Sequence, residues 1–373
     1  MPSLNTGGYA KARKRLPEAV LHSLFEQTGQ ALSQSSRDTE RHWLGRHVKV
    51  IDGSNVLMAD TPANQAAYPQ HKNQQTGCGF PIAKLLVAFS LNSAAAIAVR
   101  IADYKTSEVA LARAWYQTLC IADVVLADRA YGNYLDLVLV QRQQADAVFR
   151  MNQSRHRDFR RGKRLGPADH LVTWQRPKQR PSWMDLATFQ ALPKQRQVRE
   201  VRFCLYRQGQ RTQDVVLVTT LLDARTYPKA KLAELYGLRW QAEVNLDHIK
   251  TTLGMETLKA QSPEMVRKEL YAHLIAYNLL RHLMEKAASD YSVPPERLSL
   301  QGARQSFNHY RPLMALLRTK QIAWQRQLLK MVAHDIVLAR PERHEPRVKK
   351  QRPKSFPRMM KPRAVLKRKL GAA

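Results

Sequence analysis

The first 150 residues carry short apolar runs separated by segments of helical periodicity. Continuous or alternating apolar runs indicate strands, whereas apolar residues recurring about every three to four positions indicate helices with one buried face. The predicted order is a helical start, a strand, a strand pair, a helix, a strand, a helix and a strand. The strands are predicted at residues 47–58, 82–89, 95–101, 124–127 and 147–151, and the helices at 9–16, 16–32, 107–120 and 133–144.

The pattern changes twice after residue 150. Residues 150–211 contain 16 Lys and Arg against four acidic residues, together with short strand-like pieces and several prolines. This composition indicates a basic, strand-rich insertion rather than a linker. The remaining pattern is helical, with helices predicted at 228–253, at 263–288 after Ser262 as N-cap, and at 300–317 and 322–339.

This order of elements predicts an α/β fold with a mixed-sheet core, a β-rich basic insertion and an α-helical C-terminal part. We divide the chain into a helical N-terminal region at 1–45, a core domain at 46–290 interrupted by the insertion at about 152–222, C-terminal helices at 291–340 and a tail at 341–373. The tail carries 12 Lys and Arg against two Glu, which is typical of a segment that is disordered until it meets an anion.

Charge narrows the possible partners of the protein. The 373 residues include 61 Lys and Arg against 30 Asp and Glu, a formal net charge of +31. A surface of this charge attracts polyanions, and nucleic acid is the commonest of them because each phosphate contact releases counterions. Ribosomal, membrane-surface and polyphosphate partners stay open on charge alone.

Cysteine usage and hydropathy indicate the compartment. Cys78, Cys120 and Cys204 are far apart and form no paired motif, which argues against a disulfide framework or a zinc site and for a reducing cytoplasm. The longest apolar runs are too short to span a bilayer, and the first residues show no signal-peptide pattern. We therefore expect a cytoplasmic protein that makes no use of a membrane.

Two aspartates directly follow predicted strands. Asp52 comes after the run Val48–Ile51 and Asp128 after residues 124–127. An acid at the end of a buried strand is costly without a partner, and a cation offsets that cost. Carboxylates are the usual ligands of Mg²⁺. Two such ions can stabilise both the attacking and the leaving oxygen in a phosphoryl transfer. Taken singly, each aspartate is also compatible with an ordinary turn or helix cap.

A polar face on the helix predicted at 228–253 is more specific. Tyr236, Arg239, Glu243 and Lys250 fall within an arc of about 60° if each residue turns the helix by about 100°. One face therefore presents a phenol, a guanidinium, a carboxylate and an ammonium. Without further context, the same pattern fits a solvated face with a helical acid–base pair.

Together, these motifs resemble the DDE transposases of bacterial insertion sequences, in the cut-and-paste group (insertion-sequence family four) with the Y-(2)-R-(3)-E-(6)-K signature. The signature is complete here as Tyr236, Arg239, Glu243 and Lys250. The resemblance extends over about residues 5–290. Its other motifs are Ile51-Asp52-Gly53-Ser54, Ala59-Asp60-Thr61-Pro62-Ala63-Asn64-Gln65, Ala127-Asp128-Arg129-Ala130-Tyr131-Gly132 and Thr251-Thr252-Leu253-Gly254-Met255.

The resemblance implies a ribonuclease-H-like core and a chemistry. Asp52, Asp128 and Glu243 would be the catalytic and metal-binding residues, holding Mg²⁺ or Mn²⁺, with two ions expected. Tyr236, Arg239 and Lys250 would contact phosphates near the cleaved transposon end. By analogy with relatives, an aromatic residue of the insertion would hold a flipped base, and Trp174 and Trp183 are the candidates. Packing in the interior is the competing interpretation for both.

The resemblance also implies partners and a reaction. The partners are DNA, as the terminal inverted repeats and the target, and a second copy of the chain in a homodimeric synaptic complex at the bacterial nucleoid. The reaction is strand cleavage and strand transfer, with a hairpin intermediate if the family pattern holds. Relatives carry a longer N-terminal helical region, and residues 1–45 are interpreted as its remnant. Two alternatives stay open: a metal-dependent nuclease on the same fold, and a truncated, catalytically silent DNA-binding derivative.

Overall fold

A single mixed sheet runs through the protein in the computed structural model, which describes residues 7–35, 42–205, 213–338, 357 and 359–369. Its strands follow the predicted order, because the apolar runs fill the interior between two helical layers. Within the described residues the strands are β1 (His47–Met58), β2 (Ile82–Ser90), β3 (Ala96–Asp103), β4 (Asp123–Ala127), β5 (Asp146–Arg150), β6 (Lys163–Gly166), β7 (Asp169–Gln175), β8 (Gln195–Leu205), β9 (Gln213–Thr219) and β10 (Thr257–Leu258).

The strand order across the sheet is β3-β2-β1-β4-β5-β9-β8-β7-β6, with β10 also paired to β1. Strands β1, β4 and β5 are parallel, whereas β2 and β3 form an antiparallel extension at one side. The arrangement of β1 to β5 is that of the ribonuclease-H-like core, so the predicted mixed-sheet fold is confirmed. The strands of the insertion, β6 to β9, continue the same sheet beyond β5 instead of forming a separate one.

Helices cover both faces of the sheet. They begin where the sequence offers caps, as at Ser107, Asn133 and Asp185, whose side chains accept backbone N–H bonds. The described helices are α1 (Gly7–Arg15), α2 (Glu18–Ser35), α3 (Pro62–Ala67), α4 (Glu108–Tyr116), α5 (Tyr134–Arg142), α6 (Leu186–Gln190), α7 (Lys229–Leu238), α8 (Trp240–Asp247), α9 (Pro263–Tyr291), α10 (Leu300–Leu316), α11 (Gln321–His334) and α12 (Arg363–Lys369).

Two hydrophobic clusters lie on opposite faces of the sheet. Alternation along β1 and β4 sends Val50 and Leu126 into the first cluster and Ile51 and Ala127 into the second. Helices α7 to α11 and α2 cover the first cluster, which we call the long-helix face. Helices α4, α5 and α6 cover the second, which we call the short-helix face.

The N-terminal helices are attached to the longest helix. Phe25 of α2 is buried against Tyr271 of α9, with ring centroids 6.0 Å apart. Arg267 of α9 donates to Glu18 at 2.8 Å. In the described residues, α1 buries no side chain. Residues 1–45 are predicted to be the remnant of a DNA-binding region. Within this segment, helix α2 packs into the core.

The predicted helix at 228–253 is not uniform. It is divided at Arg239 into α7 and α8, and it continues from His248 to Thr252 as a π-helical turn. The N–H of Leu253 donates to the carbonyl oxygen of His248, five residues earlier. The assumption of a constant 100° per residue therefore fails at Lys250, which lies in the widened turn.

The tail predicted as disordered lies largely outside the described residues. Its described part contains α12, formed by a segment rich in the helix-favouring residues Ala, Leu, Lys and Arg. The expectation that the tail is disordered until it meets an anion stays a prediction. Pro362, just before this helix, lies 3.6 Å from where a side chain on Gly77 would begin.

Candidate active site

The strand register brings Asp52 and Asp128 to the same level of the sheet. Strands β1 and β4 are parallel neighbours, with Val50 opposite Leu126. Asp52 and Asp128 each follow two residues later, and neighbouring strands are about 4.8 Å apart. By strand alternation both carboxylates are on the side of Val50 and Leu126, the long-helix face.

A gap in the strand pairing of β1 makes room for these two carboxylates. On the same side, β1 pairs with β4 over residues 47–50 and with β10 over Leu57 and Met58. In the described part of the chain, the segment of β1 between these pairings has no strand partner on that side. Asp52 is at the start of this segment, so its side chain borders an opening in the sheet.

Helix α8 brings the third carboxylate to the same face. Ala242 and Leu246 of α8 are buried in the cluster of the long-helix face, and α8 contacts β1. Glu243 stands between them and is partly exposed, with its Oε1 at 2.5 Å from the Nη2 of Arg239. The charges of both Glu243 and Asp128 contribute to the raised pKa of Asp52, after the larger effect of burial, so both acids lie near it.

The pKa of Asp52 is strongly perturbed. Burial raises its pKa from 3.8 to about 6, and the negative charges of Glu243 and Asp128 act in the same direction. Arg239 and the N–H of Gly53, which donates to Oδ1 of Asp52 at 3.0 Å, oppose this rise. Burial is thus the main reason why the ionised form of Asp52 is costly in the folded protein.

The loop after β4 fixes Asp128. The N–H of Ala130 donates to Oδ1 of Asp128 at 2.8 Å, which closes a tight turn. Gly132 sits against β5, since a Cβ there would be 2.2 Å from the carbonyl oxygen of Arg150. The glycine in the Asp128–Gly132 motif is thus explained by close contact between two backbones.

Tyr236 and Arg239 join the acids, whereas Lys250 is displaced along the helix. Tyr236 is buried, which raises its pKa, and the charges of Arg239 and Arg150 act against this rise. The guanidinium of Arg239 lies 5.9 Å from the centroid of the Tyr236 ring. Lys250 is partly exposed in the π-helical turn.

The two candidate tryptophans are not at this site. Trp174 is 3% exposed, and its Nε1 donates to Glu200 at 2.7 Å. Trp183 is half-exposed, and Arg113 lies 3.9 Å from its ring centroid. Trp174 belongs to the cluster of the short-helix face, and Trp183 lines a cavity with residues of α4 and α5 on that face. The packing interpretation is therefore favoured for Trp174.

Glu108 is a neighbour of the site that the sequence did not indicate. Its carboxylate occupies the space beside Gly53, where a Cβ would be 2.3 Å from Cδ of Glu108. Nearby, the hydroxyl of Tyr131 is buried without a hydrogen-bond partner in the described residues, and the charges of Glu108, Asp128 and Asp52 help to raise the tyrosine's pKa. In the sequence, Glu108 follows the N-cap Ser107, and an acid in the first turn of a helix is too common to indicate a position beside the site.

The acids are suited to a metal but are not arranged around one. Carboxylate oxygens are the ligands that Mg²⁺ and Mn²⁺ prefer, and burial raises the pKa of Asp52, so a bound cation would offset the cost of its ionised form. Among the described residues, no group of three His, Cys, Asp or Glu side chains stands close enough together to hold one ion.

Comparison with known proteins agrees with this description. Residues 43–279 match the family model described as Transposase DDE domain. The chain is 27% identical over 367 residues to the transposase InsG of insertion sequence element IS4 from Escherichia coli (strain K12), covering 95% of this chain and 79% of that protein. It is also 31% identical over 70 residues, 19% of each chain, to the transposase of insertion sequence element IS421 from Escherichia coli.

One solved structure shows a weaker likeness. The piggyBac transposase synaptic complex with hairpin DNA aligns with a TM-score of 0.40 and 10% identity, over 76% of this chain and 54% of that chain. In the described part of the chain, no helix is long and apolar enough to cross a membrane.

The protein is an enzyme of the class that cuts DNA and joins its strands at new positions. The chain belongs to the Transposase DDE domain family, and its function is DNA transposition. DNA is accordingly its partner, and the family uses divalent metal ions. The family assignment made from the sequence is confirmed.

Proposed function

We propose that Asp52, Asp128 and Glu243 hold the divalent ions of a cut-and-paste transposase, with two Mg²⁺ or Mn²⁺ ions as the expected number. The observation that carries this proposal is the register of β1 and β4, which sets the two aspartates side by side beneath α8. The bound ions would activate the attacking oxygen and neutralise charge on the phosphate.

Arg239 links metal binding to DNA binding in this proposal. Its guanidinium now pairs with Glu243 at 2.5 Å. If Glu243 held an ion instead, Arg239 would lose this ion pair and could donate two parallel bonds to a phosphate. Tyr236 would donate a hydrogen bond from its hydroxyl group to the same DNA strand, because burial keeps the phenol protonated. Lys250 would reach a phosphate further along from its place in the π-helical turn.

The reaction that we propose is cleavage at the transposon end followed by attack of the freed 3′-hydroxyl on a second phosphodiester, with a hairpin intermediate. Two copies of the chain would act together at the paired ends, in the cytoplasm at the nucleoid. Of the candidate base-stacking residues, Trp183 keeps an exposed ring, whereas Trp174 is covered. A base could therefore stack only on Trp183 without repacking of the interior.

The decisive experiment uses DNA that flanks the reading frame as substrate, with Mg²⁺ or Mn²⁺. We expect Asp128→Asn and Glu243→Gln to abolish cleavage while they leave DNA binding nearly unchanged. Asp247→Asn is the control, because Asp247 lies one turn beyond Glu243 on α8, is exposed and bonds only Thr251 among the described residues. Mg²⁺-dependent cleavage by Asp128→Asn would falsify the assignment.

The products separate the remaining alternatives. Joining of the cut end to a target plasmid supports a transposase that completes the reaction. Nicks without joined products would indicate a metal-dependent nuclease on this fold. Failure to process even a pre-nicked end with Mn²⁺, together with normal DNA binding, would indicate a catalytically silent derivative.

A further inference from the structure

A basic cavity lies in the insertion, on the loop that follows β5. Its volume is about 580 Å³, and we call it the insertion cavity. The side chains that matter for its chemistry are Arg155, His156, Arg157, Phe159, Arg202 and Asp214. The one acid among them, Asp214, is paired with Arg202 at 3.0 Å, so the excess charge of the cavity wall is positive.

Arg155 is held in place by a buried stack. Its guanidinium carbon lies 3.6 Å from the centroid of the Trp174 ring. A cation over a tryptophan face is attracted by the ring quadrupole, and the contact fixes the plane of the guanidinium. The Arg155 side chain is only partly exposed, and burial lowers its pKa.

Buried polar side chains hold Trp174 in place. Its Nε1 donates to Oε1 of Glu200 at 2.7 Å, and Oε2 of the same carboxylate is 3.1 Å from Nε2 of His170. The other ring nitrogen of His170 is 2.7 Å from the carbonyl oxygen of Arg161. All three side chains are buried. A chain of buried polar contacts thus ends in one arginine at the cavity wall, which is how a site is arranged in advance for its ligand.

The loop that carries the cavity starts beside the acidic site. Strands β4 and β5 are parallel and end at the same edge of the sheet, where Asp128 follows β4. Gly132 packs against the end of β5, and the N–H of Met151 donates to Val216 at 2.8 Å, which anchors the loop. Asn152 then closes a turn by accepting from Ser154 at 2.9 Å. The anchored loop that lines the cavity therefore starts at the same sheet edge as Asp128.

We propose that the insertion cavity binds a backbone phosphate of the DNA substrate, and that Trp174 serves to orient Arg155 rather than to stack on a base. A planar guanidinium matches phosphate geometry by donating two parallel N–H bonds. Arg157 adds exposed positive charge at the rim. The inference uses the DNA partner that the family implies, and it does not depend on the roles proposed for the three carboxylates.

The test measures binding of a random-sequence duplex by fluorescence anisotropy at several salt concentrations, without metal ions so that cleavage has no influence. We expect Arg155→Gln to weaken binding about tenfold and to reduce the salt slope by about one, because one phosphate is no longer neutralised. Arg155→Lys keeps the charge but loses the planar fork, so it should recover only part of the affinity.

The matched control is Arg160→Gln, which removes the same charge from the same loop. Arg160 is 91% exposed, pairs with Asp158 and does not line the cavity. Its replacement should cost clearly less affinity than the replacement of Arg155. Equal effects of the two glutamine variants, or full DNA affinity of Arg155→Lys, would reduce the cavity to unspecific surface charge and overturn the proposal.

A second arm separates DNA from free phosphate as the ligand. Calorimetric titration with inorganic phosphate measures occupancy of the cavity by a free anion. If Arg155→Gln abolishes that binding but leaves the salt slope for DNA unchanged, the cavity is a free-phosphate site and the proposal is wrong. Failure of Asp128→Asn to lose cleavage would contradict the proposed catalytic residues and leave this result untouched.

Discussion

The buried carboxylate of Asp52 lowers the stability of the fold when it is ionised, and the same carboxylate is proposed to hold the catalytic metal ions. In the fold its carboxylate is buried near two other acids, and its pKa rises from 3.8 to about 6. The unfolded chain therefore releases this proton at a lower pH than the folded protein does. Folding with an ionised Asp52 becomes less favourable as the pH rises from about 4 to about 6, and the cost persists above that range.

Replacing this carboxylate should stabilise the protein in the absence of metal. We expect Asp52→Asn to raise the free energy of unfolding at pH 7.5 by about 1–3 kcal/mol, since Asn can still accept from Gly53, and to have little effect at pH 4. Urea unfolding at both pH values measures the difference. Asp247→Asn on the exposed part of α8 is the control. An equal gain at both pH values would show that ionisation of Asp52 is not the cause.

At the scale of elements, the site depends on close contacts between strands and loops. Gly132 lets the loop after β4 pack on the end of β5, with no room for a side chain beside the carbonyl oxygen of Arg150. Gly53 makes room for the carboxylate of Glu108 in a comparable way, but there the neighbour is the end of a flexible side chain. The two glycines of the aspartate motifs therefore differ in how much change they tolerate.

The backbone contact at Gly132 leads to a prediction about stability. Gly132→Ala should destabilise the protein by about 1–3 kcal/mol and displace Asp128, because the strand carbonyl cannot move aside cheaply. Gly166→Ala is the matched control, since no heavy atom lies within 4 Å of the added methyl group, and its effect should stay within about 0.5 kcal/mol. Chemical denaturation of both variants measures these values. Equal stability of the two variants would contradict the described contact.

At the scale of the whole molecule, the net charge of +31 favours association of the protein with DNA of any sequence. The structure distributes this charge unevenly. The insertion continues the sheet from β5 outward and carries the basic cavity, while α12 places basic residues in the C-terminal tail. We expect both regions to add to the affinity of the protein for DNA.

The tail should behave as an arm that binds phosphates without reading sequence. Deletion of residues 341–373 removes 12 Lys and Arg and two Glu, and we expect a smaller salt slope, by about one for each phosphate that the tail neutralises. Anisotropy titrations on the shortened and full chains measure the slopes, with urea unfolding as the control for folding. An unchanged slope would refute a role of the tail in DNA binding.

Although it missed short elements such as α3, α6 and β10, the sequence alone determined the main strands and helices of the core, their order and the three motifs that identify the family. This was possible because burial imposes a period of two on strands and about 3.6 on helices, and both periods are local properties of the chain. It also determined the charge and hence the kind of partner. Local periodicity did not reveal the π-helical turn at Lys250, against which the later helices α9 and α10 pack.

Tertiary structure decided which distant residues meet. The unpaired segment of β1 lies between its pairings with β4 and with β10, and β10 is about 200 residues further along the chain. Glu108 of α4 meets Gly53 of β1 on the short-helix face. Trp174 could be interpreted from sequence as a base-stacking residue, yet the pairing of β7 with β8 sets it beside Glu200 and under Arg155. Such contacts depend on strand register between separate segments, which the residue pattern within either segment does not fix.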